Sequence, residues 1–232
     1  MKMVGCLLIH GYTGGPHELA PLTNYLREHT DWEIIVPILP GHGEPLDLAD
    51  RSYKEWLLAA EEAYLSLKET CDTVYVIGFS MGGMISVYLA AKYKVDRLVL
   101  LATAGKYLSF GKIIVNIGEF IEDGLKGNLQ ENKYFNHYKD KLEQVPLQAN
   151  FEFMKLVNET RQFLKDVKAP VFIAHGQEDS LVPYKTAYYL EKELASEKKE
   201  VVIFERSDHL ICLGNDSEVL IKMVYDFLNK PL

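Results

Sequence analysis

An α/β fold with a mostly parallel six-stranded sheet flanked by helices is what this sequence predicts, and three observations carry it. Short apolar runs alternate with helical patterns along most of the chain, which is what a parallel sheet covered on both faces requires. One run, Val74-Tyr75-Val76-Ile77, passes directly into Gly78-Phe79-Ser80-Met81-Gly82-Gly83, and then into a buried helical pattern at Met84, Ile85, Tyr88 and Leu89. Between Leu101 and Pro170 about seventy residues pass without a convincing strand, far more than a normal crossover, so something is inserted there.

The first strand is expected over Val4 to His10, ending at the glycine-rich loop His10-Gly11-Tyr12-Thr13-Gly14-Gly15, and the second over Glu33 to Pro37. Ser52-Tyr53-Lys54-Glu55 reads as a capping box, and Trp56, Ala60, Tyr64 and Leu67 then recur at helical spacing, which packs that helix along one stripe. The third and fourth strands are Thr73 to Gly78 and Arg97 to Leu101. Within the insertion, Phe110 to Lys126 and Asn132 to Gln144 read as amphipathic helices with many aromatics. Pro146 starts a third helix, Leu147 to Asp166, which leads into the next strand and is expected to belong partly to the core. Val171 to His175 and Val201 to Glu205 complete the sheet, and a last helix with Leu220, Met223, Val224 and Phe227 on one face stops before Pro231. Helices inserted beside a reactive site suggest a cap with an apolar underside, although Tyr107, Phe110, Phe120, Tyr134, Phe135 and Tyr138 read mostly as ordinary packing.

The chain has 232 residues, 48% of them hydrophobic, enough for a sizeable core. Its formal net charge of −8 and the lack of any concentrated basic stretch argue against nucleic-acid binding. Cys6, Cys71 and Cys212 are odd in number and widely spaced, with no Cys-x-x-Cys pair for metal or redox work, which fits a reducing cytoplasm. The apolar run from Val4 to Ile9 is too short for a secretory core, and no apolar stretch reaches the ~20 residues of a membrane span, so no stable membrane association is expected.

In Gly-x-Ser-x-Gly a strand must turn sharply into a helix, and the glycines are needed because side chains there would collide as the backbones cross. Ser80 is thereby exposed on a strained elbow at a helix N-terminus, where dipole and unpaired N–H groups favour an oxyanion. Alone this pattern occurs by chance in many surface loops; the strand before it and the helix after it raise its weight. A serine hydroxyl is a weak nucleophile and needs a neutral imidazole plus a carboxylate to orient it. Asp179, in the loop from His175 to Pro183, and His209, in Ser207-Asp208-His209, each lie just past a strand's carboxyl end, where an open parallel sheet converges on one crevice. Glu178 and Asp208 are adjacent rivals for the acid. Of the other histidines, His10 and His175 end strands and read as structural, His17, His29 and His137 sit in helical contexts, and His42 is a loop residue near the mouth. The oxyanion donors are expected to be the backbone amides of Met81 and Tyr12, the latter in a loop whose glycines let the backbone pass close to a ligand. That loop has neither of the glycine spacings that cradle nucleotide phosphates.

With His10-Gly11-Tyr12-Thr13-Gly14, Pro40-Gly41-His42-Gly43, the Ser80 elbow, Gly176-Gln177-Glu178-Asp179 and Ser207-Asp208-His209 in this order, the chain resembles the α/β-hydrolase superfamily, and most of all its small bacterial carboxylesterases and monoacylglycerol-lipase relatives. The resemblance implies an α/β-hydrolase core of residues 1–104 and 162–232 with a small helical cap at 105–161. It also implies Ser80 as nucleophile, Asp179 as orienting acid, His209 as general base, and the Tyr12 and Met81 amides as oxyanion hole. Many family members carry two more strands before the His-Gly strand, so a six-stranded sheet is expected here. The activity implied is cofactor-free and metal-free hydrolysis of a small-molecule carboxylic ester with a short to medium acyl chain, through an acyl-enzyme. A thioesterase or carbon–carbon bond hydrolase would use the same triad, haloalkane chemistry would call for aspartate at the elbow, and a non-enzymatic small-molecule binder with the same fold is the rival of another class.

Overall fold

The computed structural model describes residues 3–106 and 145–230. The helices expected at 110–126 and 132–144, with the aromatics there and His137, lie outside the described residues. Strands β1 (Val4–Ile9), β2 (Glu33–Ile35), β3 (Thr73–Phe79), β4 (Arg97–Leu101), β5 (Val171–Gly176) and β6 (Lys199–Phe204) form one six-stranded sheet in the order β2-β1-β3-β4-β5-β6. Every pairing is parallel. From β1 the chain first moves outward to β2 and then returns to lay β3 on β1's other side, so the order reverses between β1 and β3. The loops leaving those two strands diverge and open a crevice at the sheet's carboxyl edge, where ligands of such sheets are held.

Both faces of the sheet are covered, which is why its strands are almost continuously apolar. Along β1, Leu7 and Ile9 face one core while Cys6 and Leu8 face the other, and β3, β4 and β5 alternate in the same way. The first core is closed by helices α2 (Tyr53–Thr70), α3 (Met81–Lys92), α4 (Leu147–Arg161) and α5 (Lys185–Glu193), through residues such as Trp56, Met84, Leu156 and Leu190. The second is closed by α1 (Ala20–His29) and α6 (Ser217–Asn229), through Leu22, Leu26, Leu220 and Val224. Each fully buried Leu or Ile contributes about 1.5–3 kcal/mol.

The differences from expectation have local causes. β2 ends at Ile35, before Pro37, because proline has no N–H to give a ladder. β6 starts earlier, at Lys199, since an edge strand lets charged side chains reach outward: Lys199 Nζ donates to the Glu191 and Leu194 carbonyls, and Glu200 pairs with Lys230. The helix expected from Leu147 to Asp166 divides into α4 and a short 3-10 turn, Leu164–Asp166, that buries Leu164. α4 packs Ala149, Phe153, Leu156 and Val157 into the first core. At α2, the Glu55 carboxylate accepts the Ser52 backbone N–H at 2.7 Å and its hydroxyl at 2.9 Å, and the buried stripe is the expected Trp56, Ala60, Tyr64 and Leu67. Among the described residues no helix is long and apolar enough to cross a membrane.

Candidate active site

Ser80 links β3 to α3 with φ 53° and ψ −115°, a left-handed conformation that costs a non-glycine residue about 1–3 kcal/mol. The crowding that compels it is measurable. A Cβ on Gly78 would stand 2.3 Å from the Gly82 carbonyl oxygen, and one on Gly82 would stand 2.1 Å from that of Ile9. Backbone bonds pin the elbow to the next strand: the Ser80 N–H donates to Leu101 O at 2.9 Å, and the Ala104 N–H donates to Ser80 O at 3.2 Å.

Across the crevice β5 and β6 deliver two loops that cross tightly, for a Cβ on Gly176 would lie 2.2 Å from the Ser207 carbonyl oxygen. The crossing brings His209 between Ser80 and Asp179. His209 Nε2 lies 3.0 Å from Ser80 Oγ, and its Nδ1 lies 2.7 Å from Asp179 Oδ2. A carboxylate only accepts, so Nδ1 carries the proton and the Nε2 lone pair faces the serine hydroxyl. Of the neighbouring carboxylates, Glu178 and Asp208 are exposed; Asp208 instead accepts the Leu210 N–H at 2.9 Å. The Phe79 ring leans on the imidazole at 5.1 Å.

Asp179 is buried and fully engaged. Oδ1 accepts the N–H groups of Leu181 at 2.9 Å and Val182 at 2.8 Å, while Oδ2 accepts His209 and also His175 Nε2 at 3.0 Å. His175 was read as structural, bonding nearby backbone, and it does reach Val182 O at 2.8 Å, yet the same N–H also touches the acid. Burial alone would raise the Asp179 carboxyl, but the field of His209 and hydrogen bonds from His175 and His209 outweigh it and hold the group well below the usual carboxylate range. For His209, burial disfavours the charged ring, and the Asp179 charge and hydrogen bond overcome that and raise it above the ordinary histidine value.

The loop after β1 carries Tyr12. His10 Nε2 accepts the Leu39 N–H at 3.1 Å, so its proton is on Nδ1, which donates to Gly11 O at 2.8 Å. The peptide joining Gly11 to Tyr12 is thereby fixed on its carbonyl side, and its N–H points the opposite way. Met81, the first residue of α3, presents the other amide at a helix N-terminus. The Tyr12 side chain lies away from this chemistry: its hydroxyl donates to Asn150 Oδ1 at 3.0 Å and its ring stacks on Phe153 at 4.8 Å, tying the loop to α4. His42 packs beside it against Trp56 at 5.5 Å and His10 at 5.1 Å, with Nδ1 3.1 Å from Pro40 O. His29 is remote, stacked on Tyr25.

Sequence reasoning missed two residues here, His175 as a second donor to Asp179 and Glu18, whose carboxylate accepts the Gly11 N–H at 2.8 Å. Nothing in the pattern distinguishes Glu18 from a solvated acid in a first helical turn. His175 was findable in principle, four residues before Asp179 across a tight turn.

Comparison with known proteins bears on the family and the fold. The profile described as "Alpha/beta hydrolase family" matches residues 6–221. The chain is 28% identical to a thermostable monoacylglycerol lipase of Bacillus sp. (strain H-257), covering 98% of this chain and 91% of that protein. It is 22% identical to a carboxylesterase of Bacillus subtilis (strain 168), over 97% of this chain and 92% of the other. Among solved structures it is similar in fold to one from work on two metagenome-derived lipolytic enzymes, with a TM-score of 0.81 and 22% identity, covering 99% of this chain and 95% of that one.

Proposed function

Because this chain belongs to the alpha/beta hydrolase family, we propose that it is a serine carboxylesterase that cleaves small-molecule carboxylic esters with short to medium acyl chains. The observation that carries the reading is the unbroken hydrogen-bonded line from Ser80 Oγ through the His209 ring to Asp179 Oδ2, at 3.0 and 2.7 Å. In this reading Ser80 Oγ attacks the ester carbonyl carbon as His209 Nε2 takes the hydroxyl proton, and Asp179 steadies the resulting imidazolium. The Tyr12 and Met81 amides receive the oxyanion of the tetrahedral intermediate, each worth about 2.7–4 kcal/mol of barrier. Collapse breaks the bond to the alcohol oxygen, which leaves with the proton from His209. The acyl-enzyme is then hydrolysed by water that gives its proton to the same nitrogen, releasing the acid and restoring Ser80. No resident cofactor or metal enters these steps. The same reading draws a small cap from the insertion at 105–161 of a core made of 1–104 and 162–232, with α4, the last helix of that insertion, rooted in the first core.

A series of p-nitrophenyl esters of increasing acyl length tests this, with Ser80→Ala as control. We expect turnover to peak at short or medium chains and to fall at least about 10³-fold in the variant while its thermal midpoint holds. Unchanged turnover in Ser80→Ala, or failure of a fluorophosphonate to label the native protein, would overturn the reading. Monoacylglycerols are a second substrate class, favoured by the likeness to the Bacillus sp. lipase over nearly the full length of both chains. Comparing kcat/KM on monoacylglycerols with that on simple alkyl esters separates the two.

A further inference from the structure

The mechanism above gives no part to a buried carboxylate that lies beside the site. Glu18, in the short 3-10 turn Pro16–Leu19, is only 2% exposed. A carboxylate withdrawn from water needs strong partners, so those partners show what it is for. Its Oε2 accepts the Gly11 N–H at 2.8 Å, a charge-assisted bond. The oxyanion loop is wrapped around it: a Cβ on Gly14 would stand 2.1 Å from the Glu18 carboxyl, and one on Gly11 would stand 3.3 Å from Oε2. At Gly14, therefore, the absent side chain makes room for a carboxylate of this chain, a different purpose from the close approach of ligand that the sequence suggested. Between these glycines Thr13 takes φ 62°, which a β-branched residue adopts only when its surroundings impose it. His10 holds the Gly11 carbonyl while Glu18 holds the Gly11 N–H, so the two peptides leading to the Tyr12 amide are gripped in sequence.

We propose that Glu18 is a positioning residue of this site: its carboxylate locks the loop from Gly11 to Gly14 so that the Tyr12 amide faces the oxyanion. The proposal rests on the esterase reading above. The electrostatics of His209 support this placement of Glu18. Against burial, which lowers the ring, stand Asp179 from the loop after β5, Glu18 from the turn before α1 and Asp208 from its own loop. His175 reaches the ring only through Asp179. The thiol of Cys212, three residues along, is raised to about 12 by burial and then by the same Glu18 charge, so it adds no charge of its own.

Steady-state kinetics across pH on Glu18→Gln, Glu18→Asp and Glu18→Ala test this, with the native protein and Ser80→Ala assayed alongside. Glu18→Gln keeps an acceptor for Gly11 and loses the charge, so kcat at high pH stays within about threefold while the acid limb of kcat/KM moves to lower pH. Glu18→Asp keeps the charge on a shorter stem, so the limb stays near the native position while kcat falls. Glu18→Ala loses both, and kcat falls about 10–100-fold with KM within about threefold, because an oxyanion contact acts in the transition state. Native kcat in Glu18→Ala overturns the proposal; if the alanine variant does not fold, native kcat in Glu18→Asp, whose shorter stem cannot hold the Gly11 N–H in place, overturns it instead. Loss of activity in Ser80→Ala with native kinetics in every Glu18 variant sinks this proposal alone, whereas an active Ser80→Ala sinks the esterase reading itself.

Discussion

Asp179 shows how much a single carboxylate can organise when every lone-pair direction is taken. Two backbone N–H groups fix Oδ1, and two histidines converge on Oδ2. Asp179→Asn can keep its oxygen toward Leu181 and Val182, but it then turns an NH₂ toward two ring N–H donors. The fold is expected to survive and kcat to fall about 10³–10⁴-fold with little change in KM, because His209 loses the partner that sets its tautomer; a loss under tenfold would contradict this. The same environment sets the pH response. His209 is raised above the ordinary histidine value, and in the mechanism proposed above only its neutral form takes the serine proton. Activity is therefore full above the His209 pKa and falls as pH drops through it, so kcat/KM is expected to reach half its plateau at a pH above about 6.5; a midpoint below that value would contradict the assignment. That Ser80, Asp179 and His209 meet was legible in the sequence because each stands next to an element boundary that itself has a signature. Glu18 was not, because burial is decided by how the loop from Gly11 to Gly14 folds over it, and no local pattern encodes that.

The elements were legible to the degree that their signals are local. All six strands were visible as apolar runs, and the α2 stripe emerged residue for residue, since periodicity and capping act within a few positions. Strand ends drifted where tertiary context decides, as at β6, whose first two residues are charged and stay in the ladder because the strand lies at an edge. At α2, Glu55→Ala removes the acceptor for the Ser52 N–H and hydroxyl and is expected to cost about 1 kcal/mol in urea unfolding while leaving turnover unchanged. At the elbow the cost is far greater. Gly82→Ala would drive a methyl into the Ile9 carbonyl at 2.1 Å, so β1 and α3 must separate. We expect at least about 2 kcal/mol of destabilisation together with a large loss of kcat, because the shift moves the Met81 amide and the loop carrying Tyr12 at once. Native stability in Gly82→Ala would mean that the crossing is looser than the 2.1 Å approach to Ile9 O requires.

At the scale of the whole molecule, one reversal of strand order places the loops after β1 and β3 on either side of a crevice, and β5 and β6 bring their loops to its far wall. The cost of that convergence is that polar groups are buried together beside the loop from Gly11 to Gly14. His10 is lowered to about 3 by burial and then by nearby His42, and His42 is lowered to about 4 by burial, so both stay neutral in the folded protein at pH values where the unfolded chain takes up protons. For a group whose folded pKa is depressed, the stabilisation is complete above the unfolded value, near 6.5, and is lost as pH falls toward the folded one. Between pH 7 and pH 5 each histidine should therefore remove about 2 kcal/mol of stability. His209 opposes this by a smaller amount, since a raised pKa adds stability on the acid side. Urea unfolding at pH 7 and pH 5 is expected to show a net loss of about 3 kcal/mol, and His42→Gln, which cannot titrate, should remove roughly half of the pH dependence whatever it does to stability at pH 7. If the variant and the native chain lose stability in parallel on acidification, the buried pair of His10 and His42 does not govern the acid response, and its source lies in other titrating groups.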